Sequence, residues 1–244
     1  MSAAVSIIIP VLNESSCLQK TLDSLSLLKP AAREIIVVDG GSRDNTVEIA
    51  RQANLTVFIS PQAGRSIQMN LGAKAATSKY LCFVHADTLV PPDLVAVIDK
   101  TLGDRAIAVG GFVSIMQGTT QTRWGTSLHN YLKTYYGAII FRPHLFIKGL
   151  KILFGDQVMF CRRDDFMDCG GFDPELPIME DAELCMRLVR YGRIKLVNRF
   201  VYSSDRRAAK WGAVKANLIY LYIGCLWGMG VSATHLKQFY DDIR

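Results

Sequence analysis

The sequence predicts an α/β protein with a doubly wound, mostly parallel sheet flanked by helices. Three observations predict this class. Val5 to Val11 is an apolar run rich in isoleucine, as expected of a strand buried on both faces. The runs Glu34 to Val38 and Tyr80 to Val84 are also apolar, and each stops at polar residues. Helical patterns separate the runs, and strands that alternate with helices indicate right-handed βαβ units.

The remaining elements follow in chain order. Asn13 to Ser16 offers caps for a helix that carries leucines at 18, 22 and 25 and ends at Pro30. Patterns further along predict helices over 44–53, 65–76, 92–102 and 181–191, and strands over 55–59, 107–115, 157–161 and 194–197. Residues 120–150 are aromatic and basic without a clear period, so no element is predicted there. No repeat or linker interrupts the chain. We therefore expect one domain over 1–205 and a C-terminal apolar helical appendage over 206–244.

Composition narrows the class of protein. The chain has 244 residues, of which 50% are hydrophobic and 20% charged, as is typical of a folded globular protein. Its net charge of +6 fits a phosphorylated substrate, an acidic membrane surface or nucleic acid, or simply aids solubility. The six cysteines form no C-x-x-C pair and several lie in apolar runs, which indicates reduced core thiols. With no signal peptide expected, a cytoplasmic location is predicted, with a peripheral place on the inner face of the membrane as the alternative.

The segment 216–234 contains no charged residue and follows a basic cluster at 206, 207, 210 and 215. Its length is just enough to span a bilayer. Its polar residues and glycines weaken that interpretation, and basic residues beside Trp227 also fit a helix lying in the membrane interface. A buried core helix is the third alternative. Whether segment 216–234 packs on the domain, lies at a membrane interface or spans the membrane therefore stays open.

Polar residues follow three of the predicted strands. Asn13, Asp39 and Asp87 each come just after a strand end. In open α/β sheets the ligand binds beyond the carboxyl ends of the strands, so we expect these side chains to share one crevice.

The residues after two of these strands form motifs that could bind a ligand or a metal ion. Asp39-Gly40-Gly41-Ser42 joins a carboxylate to glycines that let a ligand approach the backbone, although an ordinary turn is the alternative. His85-Ala86-Asp87 has the shape of an Asp-x-Asp metal site with histidine in the first position. Asp87 suits Mg²⁺ or Mn²⁺. His85 is a metal ligand, a support for one, a phosphate contact or a structural histidine.

Two further motifs suggest catalytic groups. Glu180-Asp181 opens a helix after Pro177, where a carboxylate can face a cleft and take a proton from a hydroxyl. Favourable acids at a helix N-terminus are the alternative explanation. Arg65 opens a helix after Gly64, an arrangement suited to a diphosphate, or it is a surface arginine.

These motifs together resemble the family 2 glycosyltransferases, inverting enzymes with the GT-A nucleotide-diphosphosugar fold. The matching pieces lie between residues 5 and 200, in family order: Ser6 to Glu14, Asp39 to Thr46, His85-Ala86-Asp87, Gly170-Gly171-Phe172 and Glu180-Asp181. A narrower likeness is to short bacterial members associated with arsenosugar biosynthesis and radical-SAM genes. It rests on Gly64 to Asn70, Val84 to Thr88, Gly155-Asp156-Gln157 and Pro177 to Leu184.

The resemblance implies roles for single residues. Asp181 would be the general base, supported by Glu180, and Asp87 would carry Mn²⁺ or Mg²⁺ with His85 in place of the usual first aspartate. The residues implied to bind the nucleotide-sugar are Pro10, Asn13, Glu14, Asp39, Gly41, Arg65, Ala86, Asp156 and Gln157. The implied donor is a UDP-sugar, with a GDP-sugar as the alternative.

We therefore expect a metal-assisted inverting glycosyltransferase that acts on a hydroxyl acceptor, lipid-linked or free, with or without membrane-surface association. A nucleotidyltransferase is one alternative, but the segment after the first strand lacks the glycine-rich basic loop that such enzymes carry. A non-catalytic membrane-surface binding protein is the other. No nucleic-acid recognition motif is present, so a nucleic-acid partner is not expected.

Overall fold

The computed structural model describes residues 4–118 and 121–240, and within them eight strands form one sheet. The strands are β1 (Val5–Val11), β2 (Glu34–Asp39), β3 (Thr56–Ile59), β4 (Tyr80–Phe83), β5 (Thr88–Leu89), β6 (Ile107–Gln117), β7 (Phe160–Arg162) and β8 (Arg193–Ser204). Their spatial order is β3-β2-β1-β4-β7-β6-β8-β5. The first four strands are parallel, as are β6 and β8, whereas β7 and β5 run antiparallel to their neighbours. The predicted mostly parallel α/β sheet is confirmed.

Helices cover both faces of the sheet, and the core lies in two layers. The helices are α1 (Leu18–Ser26), α2 (Thr46–Gln52), α3 (Arg65–Ala75), α4 (Leu94–Gly103), α5 (Trp124–Phe141), α6 (Pro143–Ile147), α7 (Arg163–Asp168), α8 (Glu180–Leu188), α9 (Arg206–Trp211), α10 (Ala213–Gly228) and α11 (Ala233–Leu236), with 3₁₀ turns at Gly155–Gln157 and Lys237–Phe239. Ile7 and Ile9 of β1 belong to one layer and Ile8 to the other. Successive strand residues point to opposite faces, so β1 is buried on both sides as its sequence predicts.

Helix α5 occupies part of the region where the sequence shows no period. Its inward face is largely polar, because Thr126, Asn130 and Thr134 are buried at four-residue spacing. Its outward face carries exposed apolar side chains at positions 124, 128, 132 and 140. This inverts the apolar-inside pattern of an ordinary amphipathic helix.

The region around β7 and β8 also differs from the prediction. The strand expected over 157–161 is a 3₁₀ turn at Gly155–Gln157 followed by β7, which is only three residues long. β7 is short because it fills the gap between β4 and β6, where it pairs with both. β8 extends to Ser204 rather than 197, because it pairs with β6 past an irregularity in register at Phe112/Val113.

The segment after residue 205 packs on the rest of the chain. The Nδ2 of Asn217, on α10, donates to Oγ1 of Thr126 at 3.3 Å, and the Oδ1 of Asn217 lies 3.1 Å from Nδ1 of His129. Thr126 and His129 both belong to α5. Within 4–118 and 121–240, no helix has the length and apolar character needed to cross a bilayer. The division of the chain at residue 205 stays a prediction.

The six cysteines are all free thiols. Cys82, Cys161 and Cys185 are fully buried among apolar side chains, and the other three are partly buried. Their predicted character as reduced, mostly core residues is in keeping with this placement.

Candidate active site

A cavity of about 600 Å³ opens beyond the carboxyl ends of β1 and β4. The predicted site residues that line it are Pro10, Glu14, Arg65, His85, Ala86, Asp87 and Glu180. These side chains come from strand ends and helix starts far apart in sequence. The sheet therefore brings most of the predicted site together at the edge where α/β proteins bind ligands.

Asn13, Asp39 and Gly41 shape the loops beside this cavity. The carboxylate of Asp39 is buried and accepts hydrogen bonds from the N–H of Gly41 at 2.8 Å, the N–H of Ser42 at 2.9 Å and the Ser42 hydroxyl. Asn13 donates its N–H to Ser42 Oγ, and its side-chain oxygen accepts from Arg43 N–H at 2.8 Å. The loops after β1 and β2 are thereby held together. The implied nucleotide contacts of these three residues stay predictions.

Asp87 and Glu14 share one arginine across the cavity. Arg206 donates from Nη2 to Asp87 Oδ2 at 2.7 Å and from Nη1 to Glu14 Oε2 at 2.9 Å. Arg206 begins α9, so the first turn after β8 is anchored to the ends of β1 and β4. These charge-assisted hydrogen bonds fix the positions of both carboxylates at the wall of the cavity.

His85 presents a neutral imidazole to the same cavity. Burial lowers the pKa of His85 to about 3, and the positive charge of Arg65 lowers it further. Its Nε2 is buried and has no hydrogen-bond partner. Gly155 packs so closely against this ring that a Cβ at that position would overlap it. A neutral imidazole with a free ring nitrogen can ligate a metal.

The donor set fits a metal that is shared with a substrate. Within the described parts of the chain, no three or more acidic, histidine or cysteine side chains cluster as a cation cage would require. Asp87 and His85 offer one carboxylate and one imidazole. Mg²⁺ is commonly held by one or two carboxylates together with substrate phosphates, and Mn²⁺ accepts carboxylate oxygen as well. The two residues therefore suit a cation whose remaining ligands are phosphate and water.

Glu180 and Asp181 open α8 as a buried acidic pair. The residue before them, Met179, has a φ of 67°, a left-handed conformation that turns the chain sharply into the helix. Arg65 forms a salt bridge with Glu180 Oε1, and its Nη2 lies 3.9 Å from Asp181 Oδ2. Asp181 Oδ2 also accepts from the N–H of Gly155 at 2.9 Å.

The surroundings of Asp181 favour its protonated form. Burial raises the pKa of Asp181 to about 7, the negative charge of Glu180 raises it too, and Arg65 acts in the opposite direction. A general base works best when its pKa lies near the working pH. Asp181 is therefore poised to take up a proton near neutrality.

A second cavity of about 180 Å³ adjoins the first. Arg65, His85 and Asp87 line both, and Asp181 lines the second one. Asp156 lies here and accepts from Asn130 Nδ2 at 2.6 Å. The acidic start of α8 therefore stands between two connected chambers.

Gln157, in contrast, is fully buried away from both chambers. Its Oε1 accepts from Phe154 N–H at 3.0 Å, and its Nε2 donates to Thr134 Oγ1 at 3.0 Å. This amide holds the 3₁₀ turn that carries Asp156 against α5. Its implied contact with the sugar stays a prediction.

Sequence reasoning missed several residues of the site. Asn130 and Lys133 lie in the stretch without a clear period, and Tyr220 and Tyr240 lie in the C-terminal segment. The four-residue spacing of polar residues at 126, 130 and 134 is the signal that would have indicated α5. No comparable signal marks Tyr240, which packs against the guanidinium of Arg207 at 4.4 Å.

Two solved structures resemble this fold. Glucosyl-3-phosphoglycerate synthase from Mycobacterium tuberculosis, in complex with Mn²⁺, uridine diphosphate and phosphoglyceric acid, has a TM-score of 0.66 and 21% identity over 93% of this chain and 78% of its own. A mannosyltransferase from Pyrobaculum calidifontis, in complex with GDP-Man and Mn²⁺, has a TM-score of 0.69 and 18% identity over 99% of this chain and 66% of its own. These likenesses show that the fold is GT-A, as predicted.

Sequence comparison gives the family. A PGL/p-HBAD biosynthesis glycosyltransferase of Mycobacterium bovis is 27% identical over 204 residues, which cover 81% of this chain and 73% of the relative. The family model described as glycosyl transferase family 2 matches residues 6–171, more than half of the chain. The matched range contains the strand ends at Asp39 and Asp87 and the start of α3. The chain therefore belongs to glycosyl transferase family 2 and is a glycosyltransferase.

Proposed function

We propose that this enzyme transfers a sugar from a nucleoside-diphosphate sugar to an acceptor hydroxyl with inversion at the anomeric carbon. One observation carries the proposal. Asp181, with its raised pKa, lines the smaller chamber, its neighbour Glu180 lines the larger one, and His85 and Asp87 line both. A base between two chambers suits an in-line displacement, because donor and acceptor can approach from opposite sides.

The proposed reaction is a single displacement. Asp181 takes the proton of the acceptor hydroxyl as the hydroxyl oxygen bonds to the anomeric carbon. The bond from that carbon to the diphosphate breaks, and the nucleoside diphosphate leaves with the electron pair. Arg65 stands beside the leaving group and keeps Glu180 in place through their salt bridge. Positive charge fixed where negative charge develops is usually the largest catalytic contribution.

Asp87 and His85 would hold a divalent cation on the diphosphate. Such a cation supplies Lewis-acid stabilisation of the departing phosphate oxygens. Arg206 pairs with Oδ2 of Asp87, so a cation held by that same oxygen would compete with the guanidinium. The released guanidinium would remain in the same chamber, where it can pair with a phosphate oxygen.

The donor is proposed to be a UDP-sugar, with a GDP-sugar as the alternative. Complexes of the two structural relatives with uridine diphosphate and GDP-Man support this choice. The narrower assignment to the arsenosugar-associated members, and the contacts of Pro10, Asn13, Asp39 and Gly41 with the nucleotide, are proposed on the resemblance alone.

A thermal-shift panel tests the donor proposal. UDP, GDP, CDP, dTDP and ATP would each be added with and without Mn²⁺, since a ligand that binds only the native state raises its melting temperature. We expect one diphosphate to stabilise the protein, and Mn²⁺ to enlarge the shift. Asp87→Asn should lose the Mn²⁺ effect, whereas Asp99→Asn, the same change at an exposed position on α4, should keep it.

A protein that no nucleotide stabilises, with or without Mn²⁺, does not have the donor site described above. The anomeric configuration of the transferred or hydrolysed sugar, followed by proton NMR, tests inversion separately. A product that retains the donor configuration would rule out the single displacement.

We further propose that the enzyme works at a membrane surface, at the inner face in the cytoplasm. Helix α5 packs against α6 and α10, and all three expose large apolar side chains: Trp124, Leu128, Ile140, Ile147, Val214 and Leu218. Exposed lysines at 148, 210 and 215 lie on or beside the same helices. Apolar side chains beside basic ones suit an anionic bilayer. Co-sedimentation of the protein with phosphatidylglycerol vesicles tests this membrane proposal. Binding that is weaker with phosphatidylcholine alone and is lost in Ile147→Gln would support the proposal, and a protein that does not sediment with the vesicles would overturn it.

A further inference from the structure

We infer that the second chamber binds an acceptor whose hydroxyl is attached to an apolar body, an aromatic ring or an alkyl chain, rather than a free sugar. This inference rests on the proposed function, because the chamber is assigned to the acceptor only if the first chamber binds the donor. It goes further by naming the chemical class of the acceptor.

The wall of the chamber is predominantly apolar. Its large apolar side chains are Phe141, Ile152, Phe154, Ile223 and Trp227, and the cations Lys133, Arg142 and Arg207 also belong to the lining. Dry apolar cavities of about 150 Å³ take up benzene, so a chamber of about 180 Å³ has room for one ring or a short chain. Burial of such a body releases ordered water and supplies most of the binding free energy.

One end of the chamber is polar and is aimed at the reaction. Asp181 and Asp156 lie there, with Asn130 bound to Asp156. Asn130 is 3% exposed, yet its Oδ1 has no hydrogen-bond partner. A buried acceptor atom without a partner is destabilising, and a ligand that donates a hydrogen bond to it would remove that penalty. This end can therefore orient one or two hydroxyl groups.

A free hexose does not suit this arrangement. Its hydroxyl groups point in all directions, and those that face Phe141, Ile152 and Trp227 would lose water without gaining a partner. An alcohol or phenol with an apolar body places its one polar group at the polar end and leaves the rest against the wall. The chamber thereby selects one hydroxyl and presents it to Asp181.

Glycines on two helices keep the chamber open. Gly224 of α10 lines the chamber, and a Cβ added there would meet no atom within 4 Å. Gly137 of α5 also lines the chamber, and its added Cβ would first meet Ile152 at 3.8 Å. A larger side chain at Gly224 can therefore extend into the chamber without a clash with the fold. Gly125, exposed on α5 and with open space around it, gives a matched control outside the chamber.

The test is calorimetric titration of the full chain with 2-naphthol, 1-octanol and glucose. We expect 2-naphthol or 1-octanol to bind and glucose not to bind. Gly224→Leu should weaken that binding about tenfold or more, which corresponds to about 1.4 kcal/mol, and Gly125→Leu should leave it unchanged. The two apolar probes distinguish a ring acceptor from a chain acceptor.

Nucleotide binding in the same variants separates the two proposals. Stabilisation by a nucleoside diphosphate should be the same in the parent protein, Gly224→Leu and Gly125→Leu. If the nucleotide binds but neither apolar probe does, or Gly224→Leu binds them as the parent does, the acceptor inference is overturned and the donor site stands. If the probes bind but no nucleotide does, the proposed transfer fails, and the assignment of the chamber to an acceptor fails with it. Binding of glucose in preference to 2-naphthol would also overturn the inference.

Discussion

Replacing Asp181 with asparagine is expected to stabilise the protein while it abolishes transfer. The carboxylate is buried beside Glu180, and an amide of the same shape removes one of two neighbouring negative charges. The side-chain oxygen of asparagine can still accept the hydrogen bond that Gly155 N–H donates at 2.9 Å. The variant loses only the group that takes up the proton. Its stability and its activity should therefore change in opposite directions.

The size and the pH range of the gain follow from the raised pKa. Folded Asp181 keeps its proton up to about pH 7, whereas the unfolded chain releases it near 3.8. The unfolded state binds fewer protons over that range, so the free energy of unfolding of the parent falls as the pH rises from about 4 to about 7. A displacement of that size corresponds to up to about 4 kcal/mol. Asp181→Asn should show no gain near pH 4 and its full gain above pH 7.

Urea unfolding at several pH values measures this difference in the free energy of unfolding. Asp99→Asn, at an exposed position on α4, serves as the control with no expected change. Transfer or hydrolysis of the donor sugar would be assayed on the same samples. A variant whose gain in unfolding free energy is absent at every pH would contradict the burial argument. Full turnover by Asp181→Asn would refute its assignment as the base.

Three further predictions concern the surroundings of the site and the core. Arg65→Gln should shift the pH midpoint of transfer upward, because the guanidinium that lowers the pKa of Asp181 is lost. The same change should weaken nucleotide binding about tenfold or more. An unchanged pH profile of transfer would argue against this role of Arg65. Arg206→Gln should tighten the binding of Mn²⁺ in the absence of nucleotide, as followed by electron paramagnetic resonance, because the competing guanidinium is gone; weaker binding would show that Arg206 assists the metal site. Gly110→Ala should lower the free energy of unfolding by about 1–3 kcal/mol, because its Cβ would overlap the ring of Phe160; an unchanged urea midpoint would contradict this close packing.

The sequence predicts the first half of the fold well for a physical reason. β1, β2 and β4 are central parallel strands, and burial on both faces requires the continuous apolar runs that make such strands recognisable. The turn residues after them mark where each strand ends. Asp87 and His85 could be placed at the site because the topology of such a sheet fixes where strand ends meet. The pair at the start of α8 is assigned to the site by its motif and by the family resemblance.

The chamber around Asn130 could not be predicted in the same way. Its walls come from α5, whose polar residues face inward, and from α10, in which only Ala216 and Ile223 are buried. Neither helix shows the apolar stripe that periodicity analysis detects. The partners of Arg206 lie 192 and 119 positions away along the chain, at Glu14 and Asp87, and no local sequence pattern records such contacts.

The bridge from Arg206 to Glu14 and Asp87 has a consequence for the stability of the proposed cation site when no cation is bound. Two carboxylates held at one wall of a cavity, as Glu14 and Asp87 are, would repel each other without a positive partner and weaken the fold. Here the protein supplies its own positive charge, which stands in until an ion arrives. The proposed metal assistance therefore predicts that removal of the divalent ion stops transfer without unfolding the protein, and that added ion restores transfer without a refolding step.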